Sequence, residues 1–211
     1  MRIVRRDACA VQPWKNGGGV SRLIASAPPA AGYDAIDWHV SRPTIAAGGP
    51  FSHLPGLDRQ FMLVSGAGVV LHCRGDGADF SQRIDTPLAP FAFRGDWAVH
   101  CDLIDGPVEV FNVMTRRGLV GATVELHSFG TVPAMLRKPA GEVLVAWCPR
   151  GPLTAFGSWG TALLDHDDAV LVDEPEATEF ALASAAPGPL LCVAVRCVTA
   201  TCATATCVTS Q

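Results

Sequence analysis

The sequence predicts an all-β protein made of two related halves, each a sandwich or barrel of short strands. Short apolar runs, some alternating and some continuous, recur along the chain between glycine and proline residues, and helical periodicity is weak almost everywhere. The second half repeats the pattern of the first. Many short strands separated by turn signals are typical of β-sandwiches and barrels.

The first half contains most of the recognisable strand patterns. Residues 36–45 alternate through Ile36, Trp38 and Val40, which indicates a strand with two different faces. Residues 51–59 are expected to form a loop that leads into a buried strand at 60–64. The apolar run at 69–73 is predicted to be the hairpin partner of that strand. Further strands are expected at residues 2–14, 20–26, 89–93, 98–103 and 108–114.

The second half follows the same plan. Residues 143–147, the turn at 149–152 and the strand from Leu153 resemble the predicted hairpin of the first half, and residues 188–195 echo residues 106–113. The likeness is one of pattern rather than of residue identity. We therefore predict a first half at 1–117 that carries the ligand pocket, a structural second half at 118–196 and a low-complexity tail at 197–211.

Composition narrows the class of protein. The 211 residues are 49% hydrophobic and 17% charged, which is enough apolar material for a sizeable core. The net charge is −4 and the sixteen basic residues are scattered, so we expect no direct nucleic-acid partner. The amino end has no signal-like apolar region, and no apolar run approaches the roughly 20 residues that span a bilayer. We expect a cytoplasmic protein without membrane contact.

The cysteines and histidines predict neither disulfides nor a metal centre. A chain of this size without a signal peptide does not need a disulfide framework, so the eight cysteines are expected to be reduced. Cys197, Cys202 and Cys207 recur every five residues, which matches no zinc-binding spacing. The six histidines are isolated along the sequence. We predict no metal and no cofactor.

An unusual stretch, residues 14–19, has two interpretations. Three glycines can form a tight turn or a bulge, because glycine readily adopts positive φ. The indole, cation and amide just before them favour a ligand-binding loop, since their donors lie beside backbone that a ligand can approach closely. The candidate binding residues here are Trp14, Lys15, Asn16, Gly17, Gly18 and, just beyond, Arg22.

Polar residues next to apolar strands give further candidates. Arg59 precedes a strongly apolar strand, where its guanidinium would suit a ligand carboxylate, and the alternative is an ion pair with Asp58 or another acid. Asn112 interrupts an apolar strand and must find a hydrogen-bond partner, either backbone or ligand, because an unsatisfied buried amide costs about 1–3 kcal/mol. His53, in a loop after Phe51, is a base or a loop cap, and we favour the cap.

Four stretches together resemble the HutD/Ves family: residues 14–22, residues 51–59, Phe93–Asp96, and residues 111–117. The resemblance implies a bicupin, two tandem cupin-like jelly rolls. It also implies an association with histidine utilisation, or with stress response in the Ves branch, and a pocket for a formate-like or other small carboxylate in one half. The chain departs from the family at Val110, where members often carry an acid, and in its tail. It also lacks the His-x-His ligand set of metal-dependent cupins.

Three functions remain open. We favour a non-enzymatic sensor of a small anionic metabolite, such as formate, formyl- or formimino-glutamate, or urocanate, bound by the residues above together with Phe51, His53, Arg59 and Asn112. The alternative is a metal-independent isomerase or hydrolase in which His53 or Lys15 transfers protons. The third is a protein-interaction module. Cupins often pair through their sheets, so a homodimer would be compatible with this fold.

Overall fold

The computed structural model describes residues 1–14, 17–29, 31–129, 131–184 and 190–199, with backbone only for residues 129 and 190–199. Over these residues the chain is almost entirely β-strand, with one short 3-10 turn at Arg6–Ala8. None of the described helical structure is long and apolar enough to cross a membrane. The predicted all-β class is confirmed.

Eight consecutive strands build the first sandwich. They are β4 Trp38–Ile45, β5 Gly49–Pro50, β6 Leu57–Ser65, β7 Val69–Gly75, β8 Ala78–Ile84, β9 Phe91–Arg94, β10 Ala98–Leu103 and β11 Val108–Arg116. One sheet contains the order β4-β11-β6-β9, and the facing sheet has the order β5-β10-β7-β8. Between them lies an apolar core that includes Phe61, Leu71 and Val110.

The next eight strands repeat this arrangement. They are β12 Val120–Phe129, β13 Ala134–Lys138, β14 Glu142–Trp147, β15 Leu153–Gly157, β16 Gly160–Leu164, β17 Ala169–Val172, β18 Thr178–Ser184 and β19 Leu190–Thr199. Their sheet orders are β12-β19-β14-β17 and β13-β18-β15-β16. Each strand therefore takes the place of the strand eight positions earlier, and the repeated sequence pattern corresponds to a repeated fold. The last strand extends into the predicted tail as far as Thr199, and residues 200–211 lie outside the described part.

Three strands precede the repeat: β1 Arg2–Val4, β2 Val11–Pro13 and β3 Gly19–Ala27. β2 and β3 extend the first sandwich's larger sheet, beside β4. β1 instead pairs with β17, with Ile3 opposite Val170. The first strand of the chain is thus part of the second sandwich, although the predicted range 1–117 grouped it with the first.

The predicted hairpin between residues 60–64 and 69–73 is wrong. β6 pairs with β11 and β9, whereas β7 pairs with β10 and β8 in the facing sheet. The connection turns the corner between sheets, and Gly66 and Gly68 adopt φ values of 97° and 105° there. β14 and β15 are related in the same way. Both runs are apolar because both face the interior, and this pattern does not reveal the pairing partner.

The two sandwiches meet through their larger sheets. Phe111 of β11 stacks on Trp147 of β14, with ring centroids 4.6 Å apart, inside an apolar cluster drawn from both halves. The guanidinium carbon of Arg42 lies 4.7 Å from the centroid of the same indole. The cysteines with described side chains are free thiols: Cys9, Cys73, Cys101 and Cys148.

Candidate functional site

Polar side chains on three adjacent strands share the inner face of the first sandwich. In the register of β4, β11 and β6, Met114 lies opposite both His39 and Arg59, and Asn112 lies opposite Ser41. Residues two apart on a strand face the same side. His39, Ser41, Asn112 and Arg59 therefore surround one region of the interior, which we call the lumen.

Arg59 is the charged group of the lumen. It is only 8% exposed, and its guanidinium carbon lies 5.2 Å from the ring centroid of Phe51 and 4.8 Å from that of Phe93. Its Nε has no hydrogen-bond partner among the described residues. Burial lowers the pKa of Arg59 to about 10, so the side chain is still a cation at neutral pH.

No carboxylate of the described residues forms an ion pair with Arg59. Asp58, the partner that the sequence left open, instead lies 2.7 Å from Nη2 of Arg117. Neighbouring residues of a strand point to opposite faces, which is why Asp58 and Arg59 separate. The buried guanidinium of Arg59 can therefore still pair with an anion from outside the protein.

Two further buried polar atoms of the lumen lack partners among the described residues. They are Oδ1 of Asn112 and Nε2 of His39, on side chains that are 2% and 7% exposed. Burial, followed by the charge of Arg59, lowers the pKa of His39 to about 4, so its imidazole is neutral near pH 7. Native proteins rarely leave such atoms unpaired, so these positions indicate a place for a ligand or water.

Tyr33 lies next to His39 of the lumen. Its ring centroid lies 5.4 Å from that of His39. Burial raises the pKa of its phenol, and the charge of Arg59 opposes that rise. The loop is fixed by Arg116, whose Nη2 donates to the carbonyl of Tyr33 and whose Nε donates to that of Ile36, both at 3.0 Å. A partly exposed phenol is thus held beside the cation.

The buried cation of the second sandwich is satisfied differently. Lys138 is 1% exposed, and its Nζ donates to the carbonyls of Pro139 and Glu142 at 2.9 and 3.0 Å. The neighbouring core is apolar and includes Leu144 and Phe180. The two halves thus share a fold, but their buried cations differ: Lys138 is hydrogen-bonded to backbone carbonyls, whereas Nε of Arg59 has no partner among the described residues.

Comparison with known proteins identifies the family. A family model described as HutD matches residues 6–189. The chain belongs to the HutD family. Its sequence resemblance to HutD/Ves proteins is thereby confirmed.

Three solved structures place this HutD member among known folds. A conserved protein of unknown function from Pseudomonas aeruginosa is 25% identical, with a TM-score of 0.81 over 93% of this chain and 98% of that one. HutD from Pseudomonas fluorescens is 26% identical, with a TM-score of 0.78 over 95% and 99%. A cupin 2 conserved barrel domain protein from Leptotrichia buccalis, 10% identical, has a TM-score of 0.55 over 84% and 88%. The cupin-like fold predicted for both halves is confirmed.

The glycine-rich motif of this HutD member forms a turn between β2 and β3. The amide of Trp14 donates to the carbonyl of Gly19 at 2.9 Å, and the amide of Gly17, at a φ of 71°, donates to the carbonyl of Trp14 at 3.0 Å. The carbonyl of Gly18 accepts the amide of Ala46 at 2.9 Å. The described part of the motif thus has the turn geometry, while Lys15 and Asn16 lie outside the described residues.

Trp14 contributes to the first sandwich as well as to the turn. Its Nε1 donates to Oγ of Ser21 at 3.0 Å, and its ring packs against the core that contains Phe51 and Phe61. Of the candidates from the sequence, the structure brings Phe51, Arg59 and Asn112 together, with Trp14 on the adjoining core.

Two candidates lie elsewhere. Arg22 pairs with Arg42 across β3 and β4 and lines a small cavity on the opposite face of the sheet, with Glu109. His53 is exposed, and its Nε2 lies 3.0 Å from the carbonyl oxygen of Asp96. Arg22 thus lies on the other face of the sheet from Arg59, and the contact of His53 is that of a loop cap.

The lumen also contains His39, Tyr33 and Phe93, which the sequence did not single out as binding residues. Strand alternation could have indicated His39. Trp38 and Val40 face the other sandwich, and their neighbours His39 and Ser41 therefore face the inner side of the first. Tyr33 had no such signal. It reaches the site through a loop whose position depends on a contact with Arg116.

Proposed function

We propose that this chain is a binding protein that captures a small carboxylate in the lumen of its first sandwich. By doing so it would sense or sequester a metabolite of histidine utilisation. Membership of the HutD family supports the metabolic setting. The ligand candidates are formate, formyl- or formimino-glutamate, and urocanate.

The single observation that carries the proposal is the state of Arg59. A buried charge without a counter-charge is costly, and removal of one partner from a buried ion pair typically destabilises a protein by about 3–5 kcal/mol. Arg59 is buried and has no carboxylate partner among the described residues. A ligand carboxylate would supply that partner through two parallel charge-assisted hydrogen bonds.

The surroundings of Arg59 favour a small planar anion. Phe51 and Phe93 contact the guanidinium through their rings, and Asn112 and His39 offer polar atoms on the neighbouring strands. The structure of HutD from Pseudomonas fluorescens is named for a formate condition. Formate is the smallest carboxylate and therefore a suitable first probe.

Thermal unfolding with and without formate tests the proposal, with urocanate, N-formylglutamate and formiminoglutamate as further ligands. A ligand at 100 times its dissociation constant stabilises the native state by about 2.7 kcal/mol. We expect the wild type and Arg22→Met to be stabilised by at least one of the four, and Arg59→Met to show no shift. No shift in the wild type with any of the four would overturn the proposal.

A further inference from the structure

We infer that a small cavity between the two sandwiches is a binding site for a halide ion, held by the guanidinium groups of Arg22 and Arg42. We call it the inter-sandwich cavity. It lies on the face of the larger sheet opposite to Arg59, and the inference is therefore independent of the proposed carboxylate site.

The lining of the inter-sandwich cavity carries an excess of positive charge. Its charged members come from both halves of the chain: Arg6 from the 3-10 turn, Arg22 from β3, Arg42 from β4, Glu109 from β11 and Asp167 from the loop before β17. Three arginines thus face two carboxylates. A monovalent anion balances the remaining charge.

Arg22 is the cation without a partner. It is partly buried, and it forms no ion pair and no side-chain hydrogen bond with the described residues. Glu109 and Asp167 are instead paired with Arg42. Every aspartate and glutamate of the chain lies in the described part, so no acidic side chain outside that part is available to Arg22.

Arg22 and Arg42 lie directly opposite each other in the pairing of β3 with β4. Like charges in this position destabilise a sheet. Arg42 is only 6% exposed, and its Nε has no hydrogen-bond partner among the described residues. Burial lowers the pKa of Arg42 to about 10, although Glu109 opposes the change, and the charges of Arg6 and Arg22 also lower it. An anion between the two guanidinium groups relieves their repulsion.

The size of the cavity favours a halide over an oxyanion. The space has room for about one water molecule. A chloride ion is only slightly larger than water, whereas phosphate and sulfate carry four oxygens around a central atom. Guanidinium groups only donate hydrogen bonds, and a halide only accepts them. Chloride is therefore the probe that fits both the volume and the charge.

Thermal unfolding of the full chain in chloride tests the inference. Sodium methanesulfonate keeps the ionic strength constant, because its anion is too large for the cavity, and no carboxylate is present. Above the dissociation constant, each tenfold rise in chloride should raise the melting temperature of the wild type by about 3 °C. Arg22→Met should show no such rise. The matched control is Arg137→Met, which also removes one arginine but on the surface, and it should follow the wild type.

Bromide locates the ion. In wild-type crystals grown with sodium bromide, we expect an anomalous difference peak within hydrogen-bond distance of the guanidinium groups of both Arg22 and Arg42. This measurement needs no variant, so it is decisive even if Arg22→Met folds poorly. A cavity that holds only water in these crystals overturns the inference.

The outcomes separate this site from the proposed function. A wild-type melting temperature that does not depend on chloride, or an equal dependence in Arg22→Met, overturns the halide site and leaves carboxylate binding at Arg59 intact. Arg59→Met should respond to chloride as the wild type does. Chloride is held constant in the formate experiment, so a missing formate response there overturns the proposed function alone.

Discussion

The guanidinium of Arg42, on β4 of the first sandwich, forms an ion pair with the carboxylate of Asp167, in the loop before β17 of the second. Both side chains are buried, and Nη2 of Arg42 also lies 3.2 Å from Glu109. Arg42 and Arg59 are thus two buried arginines on the same sheet that differ in their ion pairing. The first has acids beside it, and the second has none among the described residues.

Loss of Arg42 should be strongly destabilising. Arg42→Met removes the buried partner of Asp167 and leaves this carboxylate only the longer contacts with Arg6, at 3.8 Å, and His166, at 3.5 Å. We expect the free energy of unfolding to fall by about 3 kcal/mol in urea titrations. Adding Asp167→Asn removes the buried negative charge and should recover part of the lost stability. Asparagine tolerates the φ of 69° at this position. The control is Arg137→Met, which breaks an exposed pair with Glu179 and should cost less than about 1 kcal/mol. Equal effects of the two single substitutions would contradict the structural role of Arg42.

Loss of Arg59 should have little effect on the stability of the ligand-free protein. Arg59→Met removes a desolvated cation that has no carboxylate partner among the described residues, and its ring contacts with Phe51 and Phe93 are replaced by thioether contacts. We expect the unfolding free energy to change by less than about 1 kcal/mol. The loss of the cation–π contacts destabilises the fold, and removal of a desolvated, unpaired charge stabilises it by a similar amount. The measurement is the same urea titration. A loss as large as that of Arg42→Met would indicate that Arg59 stabilises the fold rather than a ligand.

Stability should depend on pH through His39. Its folded-state pKa of about 4 lies below the ordinary value of 6.5, so the unfolded chain binds more protons between these two values. The folded state therefore gains stability as pH rises from about 4 to about 6.5, by roughly 3 kcal/mol for this residue. Urea titrations across this range for the wild type and His39→Gln isolate the effect. The wild-type curve should rise more steeply, and parallel curves would show that His39 is not buried as a neutral group.

The third glycine of the motif should be intolerant of a side chain. A Cβ on Gly19 would overlap the carbonyl oxygen of Thr44 across the β3 and β4 pairing. We expect Gly19→Ala to lower the unfolding free energy by about 1–3 kcal/mol, the usual cost of overpacking. Gly121→Ala is the matched control, because a Cβ there meets nothing within 4 Å. A neutral Gly19→Ala would mean that the close approach of the two strands is not required.

The class of fold was predictable from the sequence because each strand is marked by a short apolar or alternating run of residues. Alternation in residues 36–45 reflects a real difference between faces, since Trp38 packs towards the second sandwich and Ile45 towards the first core. Pairing partners were harder to predict. β6 and β7 are adjacent in sequence and both apolar, yet they lie in facing sheets, because the pattern records burial and not hydrogen-bond partners.

The site was predictable where a polar residue interrupts an apolar strand. Asn112 and Arg59 stood out for this reason, and the structure places both on the lumen face. Arg22 was grouped with them because it is close to the glycine motif in sequence, but its position opposite Arg42 turns it to the other face of the sheet. Tyr33 reaches Arg59 only through tertiary contacts of its loop, which no local pattern encodes.

The pairing of Ile3 with Val170 has a consequence for biosynthesis. β1 leaves the ribosome before β17, which is made on the order of ten seconds later at ordinary elongation rates. During that time β1 has no partner, and once β17 has folded, its outer edge stays open until β1 arrives. Unpaired edges recruit other chains, so this seam exposes the nascent protein to misassembly.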